Sequence, residues 1–222
     1  MLDVQEPEIE ETQASQAYRI LEEMIVTLDI PPGSRISENS MSRRLGIGRT
    51  PVREAMQRLA REGTLRILPR AGAIVSDIDV TDQFKLIEVR RELERVIAGR
   101  AARLADAEAK ATFQNLATRF DKAAGDDDYT AFIAADREFN QMMVKTADNP
   151  YATAAMAPIQ AQTRRFWFLN FKKFGDLGRV SLLHARIARA VASNDFDGAR
   201  RASDDLMDYV QKYTRRTLEA LL

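Results

Sequence analysis

The chain has 222 residues, 45% apolar and 30% charged, a balance that excludes a disordered polymer. No apolar run nears the ~18–20 residues of a membrane span. The acidic start predicts no secretory signal and a cytoplasmic location. Cysteine is absent and His184 is the single histidine, so disulfides, thiolate-held metals and a three-histidine site within one subunit are excluded.

Net charge is +0, but its distribution is uneven. Residues 1–13 read as an acidic disordered arm, with Asp3, Glu6, Glu8, Glu10 and Glu11 and no base among them. The stretch from Arg43 to Arg70 carries eight arginines against Glu54 and Glu62, and no lysine precedes Lys85. Guanidinium groups donate paired hydrogen bonds to phosphate and to guanine edges, so this block reads either as a nucleic-acid face or as a salt-bridged helix surface.

In chain order, residues 14–28 place Ala17, Ile20, Leu21, Met24, Ile25 and Leu28 at helical spacing. Pro31, Pro32 and Gly33 end that helix. Ser37 reads as an N-cap for a short helix from Glu38 to Leu45, closed by Gly46. A further helix spans Thr50 to Glu62, with Pro51 in its first turn. Val52, Met56 and Leu59 form its core face. Two short helices joined through glycines make a helix-turn-helix. Residues 64–68 and 73–75, joined by Pro69-Arg70-Ala71-Gly72, read as a two-stranded hairpin. The expected fold class is therefore mostly α: a winged helix-turn-helix over 14–76, a linker at 77–80, and a second domain over 81–222. That second domain reads as a six-helix antiparallel bundle, with helices near 81–104, 107–123, 129–147, 150–173, 179–193 and 196–221. Pro158 lies inside the fourth of them, where a kink is expected.

Arg49 stands at the start of the third helix and Arg53 one turn later, both able to reach base edges in a major groove. Thr50 suits a phosphate at the helix N-terminus. Arg70 and Gly72 occupy the tip of the wing, and Arg43 belongs to the same basic block. Arg58 and Arg61 are expected to face solvent or pair with Glu54 and Glu62.

The run Gly46-Ile47-Gly48-Arg49-Thr50-Pro51-Val52-Arg53-Glu54-Ala55-Met56-Gln57-Arg58-Leu59, then Glu62-Gly63 and Pro69-Arg70-Ala71-Gly72, resembles the DNA-binding domain of GntR-family transcription regulators. Gly48 stands where members usually carry serine or threonine. The helical remainder is similar to the FCD effector domain of the FadR group, and the six-helix count points to the VanR-like branch. The resemblance implies that Arg49 and Arg53 contact DNA, that the wing tip with Arg70 and Gly72 enters the minor groove, and that Gly72 permits close backbone approach there. It also implies a homodimer on a short palindromic operator, acting as a repressor released by a small molecule.

FCD domains commonly hold a divalent metal through an aspartate and three histidines. By resemblance those positions fall on Asp136, Asn140, His184 and Leu206, so the set is degenerate and no metal cofactor is expected. The effector is then expected to be a small organic acid held by Arg90, Asp136, Asn140 and His184, with Arg164 in support. Asp136 or water is expected to pair with Arg90 when no acid is bound, and Arg165 is expected at the surface. The aromatic run from Phe166 to Phe171 reads as bundle core or dimer interface in preference to an effector cage. Two other readings stand beside this one: a ligand-independent dimeric DNA-binding protein, and an enzyme using His184 and Asp136 as a base dyad.

Overall fold

The computed structural model describes residues 11–221. The chain forms two compact units that divide between Ile78 and Asp79.

In the first unit, α1 (Gln13–Val26), α2 (Glu38–Leu45) and α3 (Arg49–Arg61) surround one apolar core. The acidic arm expected over 1–13 lies outside the described residues up to residue 10. Beyond that point Thr12 already caps α1 and Gln13 opens it. The heptad-like spacing of α1 delivers Ala17, Leu21 and Ile25 to the core, where they meet Val52, Met56 and Leu59 of α3. Ser37 and Ser40 exchange the side-chain bonds of a capping box, which fixes where α2 begins. Gly46, at φ 67°, ends it.

The wing differs from expectation. It is a three-stranded antiparallel sheet of β1 (Arg35–Ile36), β2 (Leu65–Leu68) and β3 (Gly72–Val75), in the order β1-β3-β2. Arg35 pairs with Ile74 and Ile36 with Ala73. Two residues are too few to show an alternating pattern, so β1 leaves no trace in the sequence.

The second unit holds six helices among the described residues: α4 (Val80–Leu104), α5 (Ala107–Gly125), α6 (Tyr129–Ala147), α7 (Pro150–Phe174), α8 (Leu177–Ala192) and α9 (Phe196–Leu221). All six start in the same way. Asp79, Asp106, Asp128, Asn149, Asp176 and Asp195 each accept a backbone N–H from the first turn of the helix that follows. The linker expected at 77–80 is thereby shortened, since Asp79 already caps α4. α7 runs through Pro158 as one helix. Its first residue, Pro150, sits where a missing N–H costs nothing. Alanines and phenylalanines, Phe113, Phe120, Phe132 and Phe139 among them, fill the centre of the bundle. Phe120 meets Phe139 edge-on at 5.7 Å between centroids. No helix among the described residues is long and apolar enough to cross a membrane.

Candidate nucleic-acid interface and effector cavity

The face of α3 turned away from the core carries Arg49, Arg53 and Gln57, one helical turn apart from each other and all exposed. The opposite face is sealed by Val52, Ala55, Met56 and Leu59. A groove runs between α3 and the wing. It is lined by Arg49, Arg53 and Gln57 on one side, by Ile67, Arg70 and Gly72 on the other, and by Glu38 and Asn39 at one end. Arg49, Arg53, Arg70 and Gly72 therefore meet in one groove, whereas Thr50 and Arg43 are exposed outside it. Arg58 is held back: its Nε donates to Glu62 at 3.1 Å and its guanidinium lies 3.6 Å from the centre of the Tyr18 ring.

Glu38, Asn39 and Gln57 are among the groove residues that the sequence does not single out. Gln57 was readable, since it continues the Arg49–Arg53 spacing. Glu38 was not. Its carboxylate accepts from Nε and Nη2 of Arg53, both at 2.8 Å, across fifteen residues of sequence. Arg49 Nη2 stands 3.9 Å from the same carboxylate. The hydrogen bond from Arg53 outweighs the upward push of burial and, with the positive charges of Arg53 and Arg49, holds the Glu38 carboxyl below its ordinary range.

Gly72 also answers a constraint inside the protein. Its φ is 88°, and a Cβ there would stand 2.3 Å from the Ile36 carbonyl oxygen. The glycine is required by the approach of β1 to β3, inside the protein.

In the helical unit, Arg90 of α4, Asp136 and Asn140 of α6, Arg164 of α7 and His184 of α8 all line one cavity. It measures about 60 Å³, several times the space one water needs. Leu206 lines it too, as do Phe166, Trp167 and Phe168. The aromatic run is thus split. Its first three rings form a cavity wall and Phe171 packs into the core. Helical periodicity alone could not separate the two faces, because both are apolar.

His184 sits against Phe120, Phe132 and Phe139, with centroids 5.1–5.5 Å away. Its Nδ1 donates to the Val180 carbonyl at 2.8 Å, and Nε2 lies 3.2 Å from Asp136 Oδ1. Both ring nitrogens face oxygen atoms. Asn140 donates to the same Asp136 Oδ1 at 3.0 Å and accepts from Gln160 at 3.2 Å. For Asp136, burial pushes the carboxyl upward. The hydrogen bond and electrostatic pull of His184, then the charges of Arg164 and Arg90, outweigh it and hold the group below its ordinary range.

This donor set does not fit a divalent transition metal. It offers one carboxylate, one imidazole and one amide oxygen already engaged with Gln160, and the fourth wall is the side chain of Leu206.

Two expectations need correction. Arg90 pairs with Glu94, one turn along α4, in place of Asp136: Nε donates to Glu94 Oε1 at 3.0 Å and Nη1 to Thr163 Oγ1 at 3.2 Å. Arg165 is buried to 1% exposure, not at the surface.

The groove and cavity lie in segments that match two family models. Residues 13–75 match the bacterial regulatory proteins of the gntR family, and residues 85–209 match the FCD domain. The chain belongs to the GntR family of regulators and carries an FCD domain. It is 28% identical over 205 residues to the HTH-type transcriptional repressor RspR of Escherichia coli, covering 90% of this chain and 88% of that one. It is 23% identical to the gluconate operon transcriptional repressor of Bacillus subtilis, over 90% and 87% of the two chains. Among solved structures it shares its fold with E. coli McbR/YncC, at TM-score 0.80 and 18% identity, over 93% of this chain and 99% of that one. The family consists of DNA-binding transcription regulators, which are not enzymes.

Proposed function

We propose that this GntR regulator is a homodimeric repressor whose affinity for a short palindromic operator is lowered by a small organic acid bound in the helical unit. The observation that carries the ligand is the convergence of Arg90, Arg164, Asp136, Asn140 and His184 on one cavity with an aromatic wall. A guanidinium in such a place orients a carboxylate through two parallel hydrogen bonds. Arg90 shares its charge with Glu94, so the acid draws on Arg164 as a second cation. The six helices of the unit support placement in the VanR-like branch. The names of the repressors from E. coli and B. subtilis support the sign of regulation.

On the DNA side, Arg49 and Arg53 read base edges, Thr50 and Arg43 contact phosphates, and Arg70 carries the wing tip to the minor groove. Gly72 serves the wing from within. The test starts from operator duplexes enriched by the wild-type protein from a randomised pool. Arg49→Ala should lose about 1–3 kcal/mol of binding and relax one base pair in each half-site. Unchanged affinity for the enriched duplex would remove α3 as the reading helix. A thermal-shift panel of small acids separates this reading from a ligand-independent DNA binder, since a specific ligand raises the melting temperature.

A further inference from the structure

Glu38 is the acidic residue of a groove otherwise lined by three arginines and neutral side chains. Its side chain is 29% exposed, so it is open to whatever enters the groove. It grips the Nε–Nη2 edge of Arg53 with two bonds of 2.8 Å and stands 3.9 Å from Arg49.

We infer that Glu38 is a specificity-determining residue: it fixes the guanidinium of Arg53 so that it reads a base, and it keeps that guanidinium off the phosphates. The inference rests on the proposed reading face of α3.

The geometry supplies the reason. A guanidinium has five N–H donors, and the Glu38 carboxylate takes one from Nε and one from Nη2. The two donors of Nη1 and the second donor of Nη2 stay available, at the far end of the fork. That end can still meet guanine O6 and N7 as a pair. A guanidinium without a buttress has many rotamers, and in the field of DNA the nearest strong acceptor is a phosphate. Phosphate contacts add affinity without sequence information. A carboxylate beside Arg53 opposes both outcomes. It removes rotameric freedom before binding, and its charge repels phosphate oxygens. Glu38 therefore lowers affinity for DNA in general and raises the preference for one base pair in each half-site. Its place in the first turn of α2, next to the Ser37 cap, holds its backbone still.

The experiment compares full-length wild type, Glu38→Gln, Glu38→Asp and Arg53→Ala. Each protein is used to enrich duplexes from the same randomised pool, and each is titrated against the wild-type operator and a scrambled duplex at several salt concentrations. For Glu38→Gln the scrambled duplex should bind severalfold more tightly. The ratio of operator to scrambled affinity should fall about tenfold, with one position per half-site becoming degenerate. The salt slope should steepen by about one, as Arg53 moves to a phosphate. Glu38→Asp keeps the charge on a shorter arm and should fall between wild type and Glu38→Gln. Arg53→Ala should lose preference at the same position. An unchanged ratio and motif for Glu38→Gln overturns the inference while leaving the reading face intact. A ratio that falls only in step with the unfolding midpoint also overturns it, because the effect is then on folding. If Arg53→Ala binds as wild type does, the reading face itself is wrong.

Discussion

His184 Nε2 lies 3.2 Å from the carboxylate of Asp136, and the two side chains are 8% and 16% exposed. This pair ties α8 to α6 across the cavity floor, inside a ring of phenylalanines.

The Asp136 carboxyl is held below its ordinary range, despite burial, by His184 and then Arg164 and Arg90. A depressed carboxyl stabilises the fold fully above the unfolded pKa of ~3.9, and that contribution disappears as pH falls through the lower folded value. Asp136→Asn should therefore cost about 1.5–3 kcal/mol at neutral pH. The gap to wild type should narrow below pH ~4. Denaturant unfolding of both proteins across this range checks it. A gap independent of pH would mean that the pair contributes through shape alone.

Asn140 and Leu206 both face the cavity beside this pair. Purified protein should carry no stoichiometric zinc, nickel or manganese by elemental analysis. Asn140→His with Leu206→His should create binding of about one metal per subunit, because it supplies two more imidazoles next to Asp136 and His184. A wild-type preparation with near one metal per chain would reject the degenerate-site reading.

Arg90 and Glu94 are both nearly sealed from solvent, at 13% and 11% exposure. Arg90→Met should destabilise the helical unit by about 3–5 kcal/mol, since it leaves Glu94 buried without its cation. Adding Glu94→Gln should recover most of that loss. The double variant then tests function with the fold intact: it should bind operator within a few-fold of wild type and fail to release it on adding the acid. Release at the wild-type ligand concentration would move the anchor to Arg164.

Gly72 and Gly33 both adopt left-handed backbone, at φ 88° and 80°, but only Gly72 has an atom in the path of a Cβ. Gly33→Ala should cost only the conformational strain, about 1–2 kcal/mol. Gly72→Ala should cost clearly more, because the Ile36 carbonyl must also move. Equal losses, read from the unfolding of the two variants, would show that β1 gives way freely.

Trp167 is the single tryptophan and lies stacked on Tyr129, with rings 5.5 Å apart and 3° from parallel. It also lines the cavity. A ligand entering there should change its fluorescence with the same midpoint as operator release. A bound ligand that leaves the emission untouched would place the effector site elsewhere.

The helix boundaries were readable because their signals are local. An Asp or Asn ahead of each bundle helix, and a glycine after α2, act within one turn. The arginines of α3 were readable for the same reason, since a helix turns spacing into a face. What stayed hidden depends on distance along the chain. Neither the two-residue β1 nor the grip of Glu38 on Arg53 follows from any window of sequence. The pairing of Arg90 lay within reach of a local window, since Glu94 stands one turn away on the same helix. Arg165 escaped because burial of a guanidinium is set by the packing of neighbouring helices, not by the residue type.

The groove between α3 and the wing takes its positive charge from arginine alone, and the first lysine of the chain is Lys85, beyond the wing. Acetyl transfer to lysine therefore has no target on this face, so the charge there cannot be switched by that modification. The same chemistry gives a practical handle. Lysine-directed labels and cross-linkers will mark the helical unit and leave the surface of α3 untouched, so labelled protein should retain its grip on DNA.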